Sequence, residues 1–303
     1  MKLCQLFNRA TRVLSYTATF QRRSITSLLT STYHALDENE ELITRIRDTV
    51  KRDHISVLPK FLRPEVYTSL ASFAEQSAAK LPHGGVHFTN PYYAQQDPTF
   101  PDDHPRNWQV SKSMKYVTLD DIPESSPLLQ LHRSPRLRSF LQQVMGASLY
   151  DYGCELSKCV FSVQKEGDHQ DWHFDNNQLT LTFMLQKPAR GGAFEVIPQL
   201  RLASGDGENY DAVSEVLRTD RGSLDVSASA GVRRIEYALG DLIIFMGRHS
   251  LHRATRVEGK TTRIIGILSY STEEGGAPPS REHLANVYGS TTGKAWAGGS
   301  APK

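Results

Sequence analysis

The chain has 303 residues, of which 39% are hydrophobic and 22% charged, an ordinary composition for a globular protein with a full core. Residues 1–36 hold five basic side chains and no acidic one; the rest of the chain has 30 Lys and Arg against 33 Asp and Glu, a net charge of −3. A mildly acidic body without basic runs does not favour nucleic acid, and no apolar stretch approaches the roughly 18 residues of a membrane span. We therefore expect a small-molecule partner, without nucleic-acid binding or membrane insertion.

The N-terminal segment has the pattern of an amphipathic basic helix. Its apolar residues recur at helical spacing, at Leu3, Leu6, Phe7, Ala10, Val13 and Leu14. Ser- and Thr-rich sequence follows, free of acidic residues until Asp37. This pattern predicts a mitochondrial transit peptide over residues 1–36 and a matrix location. An unstructured basic tail on a cytoplasmic protein is the alternative.

Helical periodicity dominates residues 37–146. It covers ENEELITRIRDTVKR and RPEVYTSLASFAEQSAAKL, and returns in SPLLQLHRSPRLRSFLQQVMG, where Pro135 splits two helices and Gly146 ends the second. Residues 82–126, rich in Pro, Asp, His and Asn, predict a long irregular segment that covers a functional site. We interpret 37–146 as a helical and loop region that packs on a core.

Short β-type runs follow Tyr150, separated by Gly, Asp and Pro clusters. They are KCVFSVQ, QLTLTFMLQ, GAFEVIP, DLIIFMG, LHRATRV and TRIIGILSY. These runs predict an all-β core over residues 147–290, interrupted by an insertion at 201–232 with a helix at YDAVSEVLRT. A short helix is predicted at REHLANVYG, and residues 291–303 form a disordered tail.

The first candidate chelating pair lies in DWHFDNNQLTLTFML. Here Leu179 and its alternate neighbours predict a strand with one buried face, and His173 and Asp175 share that parity. Side chains two residues apart on a strand point the same way. An imidazole and a carboxylate would therefore project together from the edge of the buried interior.

A third ligand is available in the segment 240–270, which holds His249 and His252 between two strands. Only one of the two needs to face inward. His252 and Arg263 lie almost symmetrically about the predicted turn at Glu258-Gly259, so we expect them to be neighbours across a hairpin. Two histidines and one carboxylate leave three positions open on an octahedral metal, the arrangement of iron(II) oxygenases. An arginine can bind an oxoacid carboxylate through two hydrogen bonds.

In this context residues 150–270 resemble the iron(II)/2-oxoglutarate oxygenase superfamily. The pieces HFDNNQLTLTFMLQKPARGGAFEVIPQLR and GDLIIFMGRHSLHRATRVEGKTTRIIGILSY are similar to the subgroup of radical halogenases of free amino acids and their hydroxylating relatives. The resemblance implies a double-stranded β-helix, or jelly roll, with flanking N-terminal helices. It further implies an enzyme that uses Fe(II), 2-oxoglutarate and O2, with His173, Asp175 and His252 as iron ligands and Arg263 binding 2-oxoglutarate.

One departure within the subgroup bears on the reaction. The halogenases carry a small residue where this chain has Asp175, and halide takes the vacated position on the metal. We therefore expect hydroxylation of an unactivated C–H, with desaturation or ring formation left open. The relatives act on amino acids, and the candidate substrate residues near the motifs are Arg106, Glu155, Gln170, Asn176 and Arg248, with His169 at the entrance.

Two other functions remain as alternatives. A zinc hydrolase would use the same two histidines and carboxylate, but it would not need Arg263, and no nearby carboxylate stands in an obvious general-base position. A jelly-roll binding protein without turnover would be expected to have lost a ligand, and none is lost here.

Overall fold

Two antiparallel β-sheets face each other, with helices packed outside them. The computed structural model describes residues 25–81, 85–201, 207–222 and 231–276. The helices are α1 (Glu40–Asp53), α2 (Pro64–Lys80), α3 (Pro127–His132), α4 (Pro135–Met145) and α5 (Tyr210–Gly222). A short 3-10 helix spans Ser31–Tyr33. None of the helices within these ranges is long and apolar enough to cross a membrane.

Sheet I carries the longest strands of the fold. In order across the sheet it contains β1 (Ile55–Leu58), β12 (Leu242–Phe245), β8 (Leu179–Gln186), β15 (Arg263–Ser271), β6 (Cys159–Gln164) and β4 (Lys115–Val117), with β5 (Tyr150–Asp151) also paired to β15. Every neighbouring pair is antiparallel. The outer face of the sheet is covered by the helices, so both faces are buried.

Sheet II lies opposite and supplies most of the candidate site. Its order is β11 (Arg233–Ile235), β10 (Phe194–Ile197), β13 (Leu251–Ala254), β7 (His169–His173), β3 (Val110–Ser113) and β2 (His87–Thr89). A separate pair joins β14 (Val257–Glu258) to β9 (Arg190–Gly191). The two facing sheets confirm the predicted jelly-roll core, and the predicted helix in the 201–232 insertion is present as α5.

Local sequence signals explain where the flanking helices begin and end. Asn39 caps α1 by accepting a hydrogen bond from the Leu42 amide, and Ser134 caps α4 in the same way. Pro64 stands in the first turn of α2, and Gly146 ends α4 with a φ of +64°. The helices predicted from periodicity are therefore confirmed, including the split before Pro135.

The predicted division at residue 146 is corrected by the sheets. Strand β1 lies at the edge of sheet I, and β2, β3 and β4 pair within the two sheets. The β core thus extends well into the region interpreted as helical and looped. The sequence does not reveal these strands, because they are only three or four residues long and lack a clear alternation. The helix predicted at REHLANVYG and the tail 291–303 lie outside the described residues.

The predicted boundary at residue 36 also disagrees with the packing. The side chains of Ile25, Leu28, Leu29, Tyr33 and Leu36 are all buried in the main core. Backbone pairing between Leu29 and Leu62 ties this segment to the chain that follows α1 and β1. Cleavage after residue 36 would remove part of the core, so any targeting segment ends before Ile25. The mitochondrial location itself stays a prediction.

A comparison of two N-terminal truncations tests this boundary. We expect the free energy of unfolding to be at least about 3 kcal/mol higher for a protein that begins at Ile25 than for one that begins at Asp37. The reason is that each fully buried large apolar side chain contributes about 1.5–3 kcal/mol. Urea denaturation followed by far-UV circular dichroism measures the difference. Equal midpoints for the two proteins would contradict the structural boundary.

Candidate metal centre

Three metal-binding side chains converge in the space between the sheets. His173 is the last residue of β7, Asp175 follows in the turn toward β8, and His252 lies on β13 directly opposite His173. One ligand atom from each lies within 4.8 Å of the other two, and no second group of this kind occurs in the ranges that the structure describes. The prediction that one strand carries the pair is wrong, because β7 ends at His173 and β8 belongs to the other sheet.

Backbone hydrogen bonds fix the orientation of both imidazoles. Nδ1 of His173 lies 2.8 Å from the carbonyl oxygen of Asp171, and Nδ1 of His252 lies 2.8 Å from that of Ser250. A carbonyl can only accept, so each Nδ1 is a protonated donor, and in the neutral ring Nε2 keeps its lone pair. The Nε2 atoms lie 3.8 Å and 3.5 Å from Oδ1 of Asp175. The three ligand side chains are therefore oriented toward one position that a metal could occupy.

The Asp175 carboxylate is held from two sides. Thr180 donates its hydroxyl to Oδ2 at 2.6 Å, and the Asp175 amide donates to the carbonyl of Gly247 at 3.1 Å. Burial by itself would raise the pKa of Asp175, but His252, His173 and the Thr180 hydrogen bond lower it to about 2. Burial also lowers the pKa of His173 well below its usual value. At neutral pH the site thus presents a carboxylate and a neutral imidazole.

The predicted orientation of β8 is wrong, as the positions of its two threonines show. Leu179, Leu181 and the other odd-numbered side chains pack against the helices, whereas Thr180 and Thr182 line the metal cavity. The sequence pattern indicated one buried and one exposed face. Both faces are buried, because the helix layer covers one and sheet II covers the other.

Gln170 lies against the metal-facing nitrogen of His173. Its amide donates to Nε2 of His173 at 2.9 Å and contacts the Tyr93 hydroxyl at 3.0 Å. A metal ion on His173 would use the same lone pair, so the Gln170 amide and the metal compete for this atom. Gln170 is therefore a candidate substrate residue that the structure places beside the metal position.

Arg263 lines the same cavity as the three ligands, but it reaches the cavity from sheet I. The predicted hairpin between His252 and Arg263 is wrong, because β13 pairs with β7 and β10, whereas β15 pairs with β6 and β8. The Arg263 guanidinium is 2% exposed and donates to Gly192 O, Gln164 Oε1 and the Tyr237 hydroxyl. It is a fixed, buried cation that can take an oxoacid carboxylate.

Gly191 and Gly192, next to Arg263, do more than form a turn. Gly192 has a φ of +60°, and a Cβ there would lie 2.8 Å from Cδ of Arg263. A Cβ on Gly191 would meet the carbonyl oxygen of Arg256 at 2.0 Å. The pair therefore permits the close approach that seats the Arg263 side chain.

The other predicted site residues divide into two groups. Asn176 lines the metal cavity with Gln170, whereas Arg106, Glu155 and Arg248 are not among its lining residues. Glu155 is held in an ion pair with Lys158, and Arg106 donates to the carbonyl of Gln95. Sequence distance to the motif gave no information about the direction of these side chains.

The two other candidate histidines, His249 and His169, lie outside the metal cluster. Nδ1 of His249 lies 3.2 Å from the carbonyl oxygen of Arg201, which identifies His252 as the inward-facing member of the pair. His169 bonds to the Ser111 hydroxyl through Nε2, and it lines a neighbouring cavity of about 670 Å³ instead of the metal cavity.

Several cavity residues carry no signal in the sequence. Tyr93, Tyr116 and Tyr152 surround the metal position, and Lys112 of β3 contributes a buried amine. They come from the segment 82–126 and from the stretch before β6, so the long irregular segment does reach the site. A strand of four residues without alternation hides the inward orientation of Lys112.

Comparison with solved structures agrees with the fold. AviO1 from Streptomyces viridochromogenes is 15% identical, with 78% of this chain and 97% of that chain covered and a TM-score of 0.51. The alpha ketoglutarate dependent carbocyclase SnoK from nogalamycin biosynthesis is 14% identical, with 75% and 82% covered and a TM-score of 0.50. The epimerase SnoN from the same biosynthesis is 15% identical, with 77% and 84% covered and a TM-score of 0.50. No curated protein matches the sequence.

The two-sheet fold, the buried His-Asp-His cluster and the match to a halogenase family together define a 2-oxoglutarate-dependent iron(II) oxygenase, with Fe(II), 2-oxoglutarate and O2 as its cofactor and cosubstrates. The family model for Halogenase D matches residues 102–288, and the chain belongs to this family. The match spans β3 and all three ligands of the cluster. The resemblance found in the sequence is thereby confirmed at the level of the superfamily and of the halogenase-like subgroup.

Gly247 offers a test of the cluster that leaves its three ligands in place. A Cβ at this position would lie 2.1 Å from Oδ2 of Asp175, so Gly247→Ala must displace the carboxylate. We expect the affinity for Fe(II) to fall about 10- to 100-fold, the usual cost of disturbing the groups that orient a ligand. Anaerobic isothermal titration calorimetry measures it. Gly85→Ala, which meets nothing within 4 Å, is the matched control, and equal affinities for both variants would contradict the arrangement.

Proposed function

We propose that this enzyme hydroxylates an unactivated C–H bond of a small metabolite, an amino acid or a close derivative. The observation that carries the proposal is the Asp175 carboxylate, which faces both Nε2 atoms and is fixed by Thr180. Three protein ligands, a bidentate oxoacid and dioxygen fill an octahedral metal. No position is left for a halide, so oxygen transfer is the expected outcome in a family named for halogenation.

The metal ligands and Arg263 would have separate roles. His173, Asp175 and His252 would hold the iron, which together with 2-oxoglutarate and O2 supplies the oxidising chemistry. Arg263 would pair with the distal carboxylate of 2-oxoglutarate, held in place by Gln164 and Tyr237. This buried guanidinium favours an oxoacid-dependent enzyme over a zinc hydrolase, which has no use for it.

The environment of the cavity also supports a small substrate. The metal ligands lie between two sheets whose facing side chains are buried, among them Thr182, Phe245 and Ile265. Tyr93 comes from the long segment before β3 and packs 5.3 Å from the His173 ring, centroid to centroid. Such cover excludes water from the reacting centre. A free amino acid fits an enclosed site of this kind better than a folded protein does.

The products of turnover test the proposed reaction. The purified protein, loaded with Fe(II) and given 2-oxoglutarate, O2 and a panel of free amino acids, should release succinate with one panel member and yield a product heavier by one oxygen atom. Mass spectrometry of the product measures this. Asp175→Ala should abolish both signals. A product lighter by two hydrogen atoms, or one that contains chlorine when chloride is present, would contradict hydroxylation.

A further inference from the structure

A buried lysine in the wall of the metal cavity has been given no role so far. Lys112 lies on β3 beside Gln170 of β7 and is 5% exposed. Its ammonium stands 4.7 Å from the centroid of the Tyr93 ring, which in turn packs on His173. The side chain of Lys112 therefore reaches the neighbourhood of the metal position from sheet II.

The Lys112 ammonium lacks a counter-ion of its own. Within the parts of the chain that the structure describes, no carboxylate lies within 4.0 Å of Lys112, and Asp175, the one carboxylate that acts on its charge, belongs to the metal cluster. Burial lowers the pKa of Lys112 to about 7, so a bound anion would be needed to hold the amine fully protonated at neutral pH. A buried charge without a partner is unfavourable, and such groups are normally compensated by a counter-ion or a ligand.

The groups around Lys112 are those of an anion site. Tyr93 and Tyr116 line the same cavity, and burial raises the pKa of both phenols, so they stay neutral. The Gln170 amide lies beside them, and the N–H that contacts His173 would be released when a metal takes that nitrogen. Hydroxyl, amide and ammonium groups together favour a bound carboxylate over a bound cation.

The cavity therefore contains two basic side chains on opposite sheets, Lys112 on sheet II and Arg263 on sheet I. The guanidinium of Arg263 is planar and fixed by three hydrogen bonds, which suits the distal carboxylate of the oxoacid. Once 2-oxoglutarate is assigned to Arg263, the second basic side chain remains for a second anion in the same cavity.

We propose that Lys112 binds the carboxylate of the primary substrate and so makes the enzyme selective for free, carboxylate-bearing amino acids. This inference rests on the proposed function. The ammonium pairs with the carboxylate, and the hydroxyls of Tyr93 and Tyr116 lie beside it. The substrate is thereby anchored at one end while its side chain extends toward the metal. A substrate without the negative charge leaves the ammonium unpaired and binds poorly.

The test uses the visible band of the anaerobic iron(II)–2-oxoglutarate complex, which forms before any substrate is added. The probes are the proteinogenic L-amino acids and, as matched controls, their primary carboxamides. We expect at least one free acid, and none of the amides, to shift the band and stimulate succinate release. In Lys112→Met the band should form at the wild-type 2-oxoglutarate concentration, while KM for the responsive acid rises about 10- to 100-fold, as expected for the loss of a charged partner.

Three further variants make the result specific. Lys112→Arg keeps the charge and should retain part of the affinity for the acid. Arg263→Lys should instead raise the 2-oxoglutarate concentration that forms the band. Lys80→Met, an exposed lysine at the end of α2, should behave as wild type.

The outcomes separate the two proposals. No band in folded, iron-loaded wild-type protein would remove the proposed function itself. A band that no free acid perturbs, or amides that act as well as acids, would overturn the role of Lys112 and leave the oxygenase assignment standing. A weaker 2-oxoglutarate response in Lys112→Met would assign the lysine to the cosubstrate instead.

Discussion

The hydrogen bond from each histidine Nδ1 to a backbone carbonyl two residues earlier is the interaction on which the metal centre depends. It fixes the tautomer of each neutral ring, so that Nε2 of His173 and of His252 both face the site, where the Gln170 amide contacts the first of them. The cross-strand register of β7 and β13 then sets the distance between the rings, whose centroids are 4.1 Å apart. Because backbone atoms provide this orientation, it does not rely on any further side chain.

Asp175 completes the centre from a turn that joins the two sheets. Its carboxylate is positioned by Thr180 of sheet I and by the bare backbone of Gly247, while both histidines belong to sheet II. The centre thus links the two halves of the jelly roll. On the proposed function, the same carboxylate would take the metal position that the halogenases leave to halide, so one side chain would govern both the geometry of the site and the reaction.

Much of the site could be predicted from the sequence, because ligand identity is a local property. The H-x-D pair, the later histidine and the arginine were recognised from residue types and order. The geometry that unites them was predicted wrongly. Alternation predicts a strand through Asp175, and symmetry about a turn predicts a hairpin between His252 and Arg263, but neither pattern carries information on which sheet a strand joins. In a jelly roll, successive strands often cross from one sheet to the other.

Other features could not be predicted because they depend on long-range packing. The inward orientation of Lys112 follows from a four-residue strand pairing with β7, some 60 residues away along the chain. Leu29 pairs with Leu62, which follows β1, and Ile25 is buried in the same main core. Composition alone favoured removing that segment. In both cases the long-range packing, and not the local sequence pattern, determines whether the residue is buried.

Anomalous X-ray diffraction at the iron absorption edge, from anaerobic crystals that contain Fe(II) and 2-oxoglutarate, tests the central claim most directly. The account predicts one iron atom bound by Nε2 of His173, Nε2 of His252 and one oxygen of Asp175, with the distal carboxylate of the oxoacid on Arg263. Iron bound through an Nδ1 atom, iron without Asp175, or an oxoacid that does not reach Arg263 would contradict it.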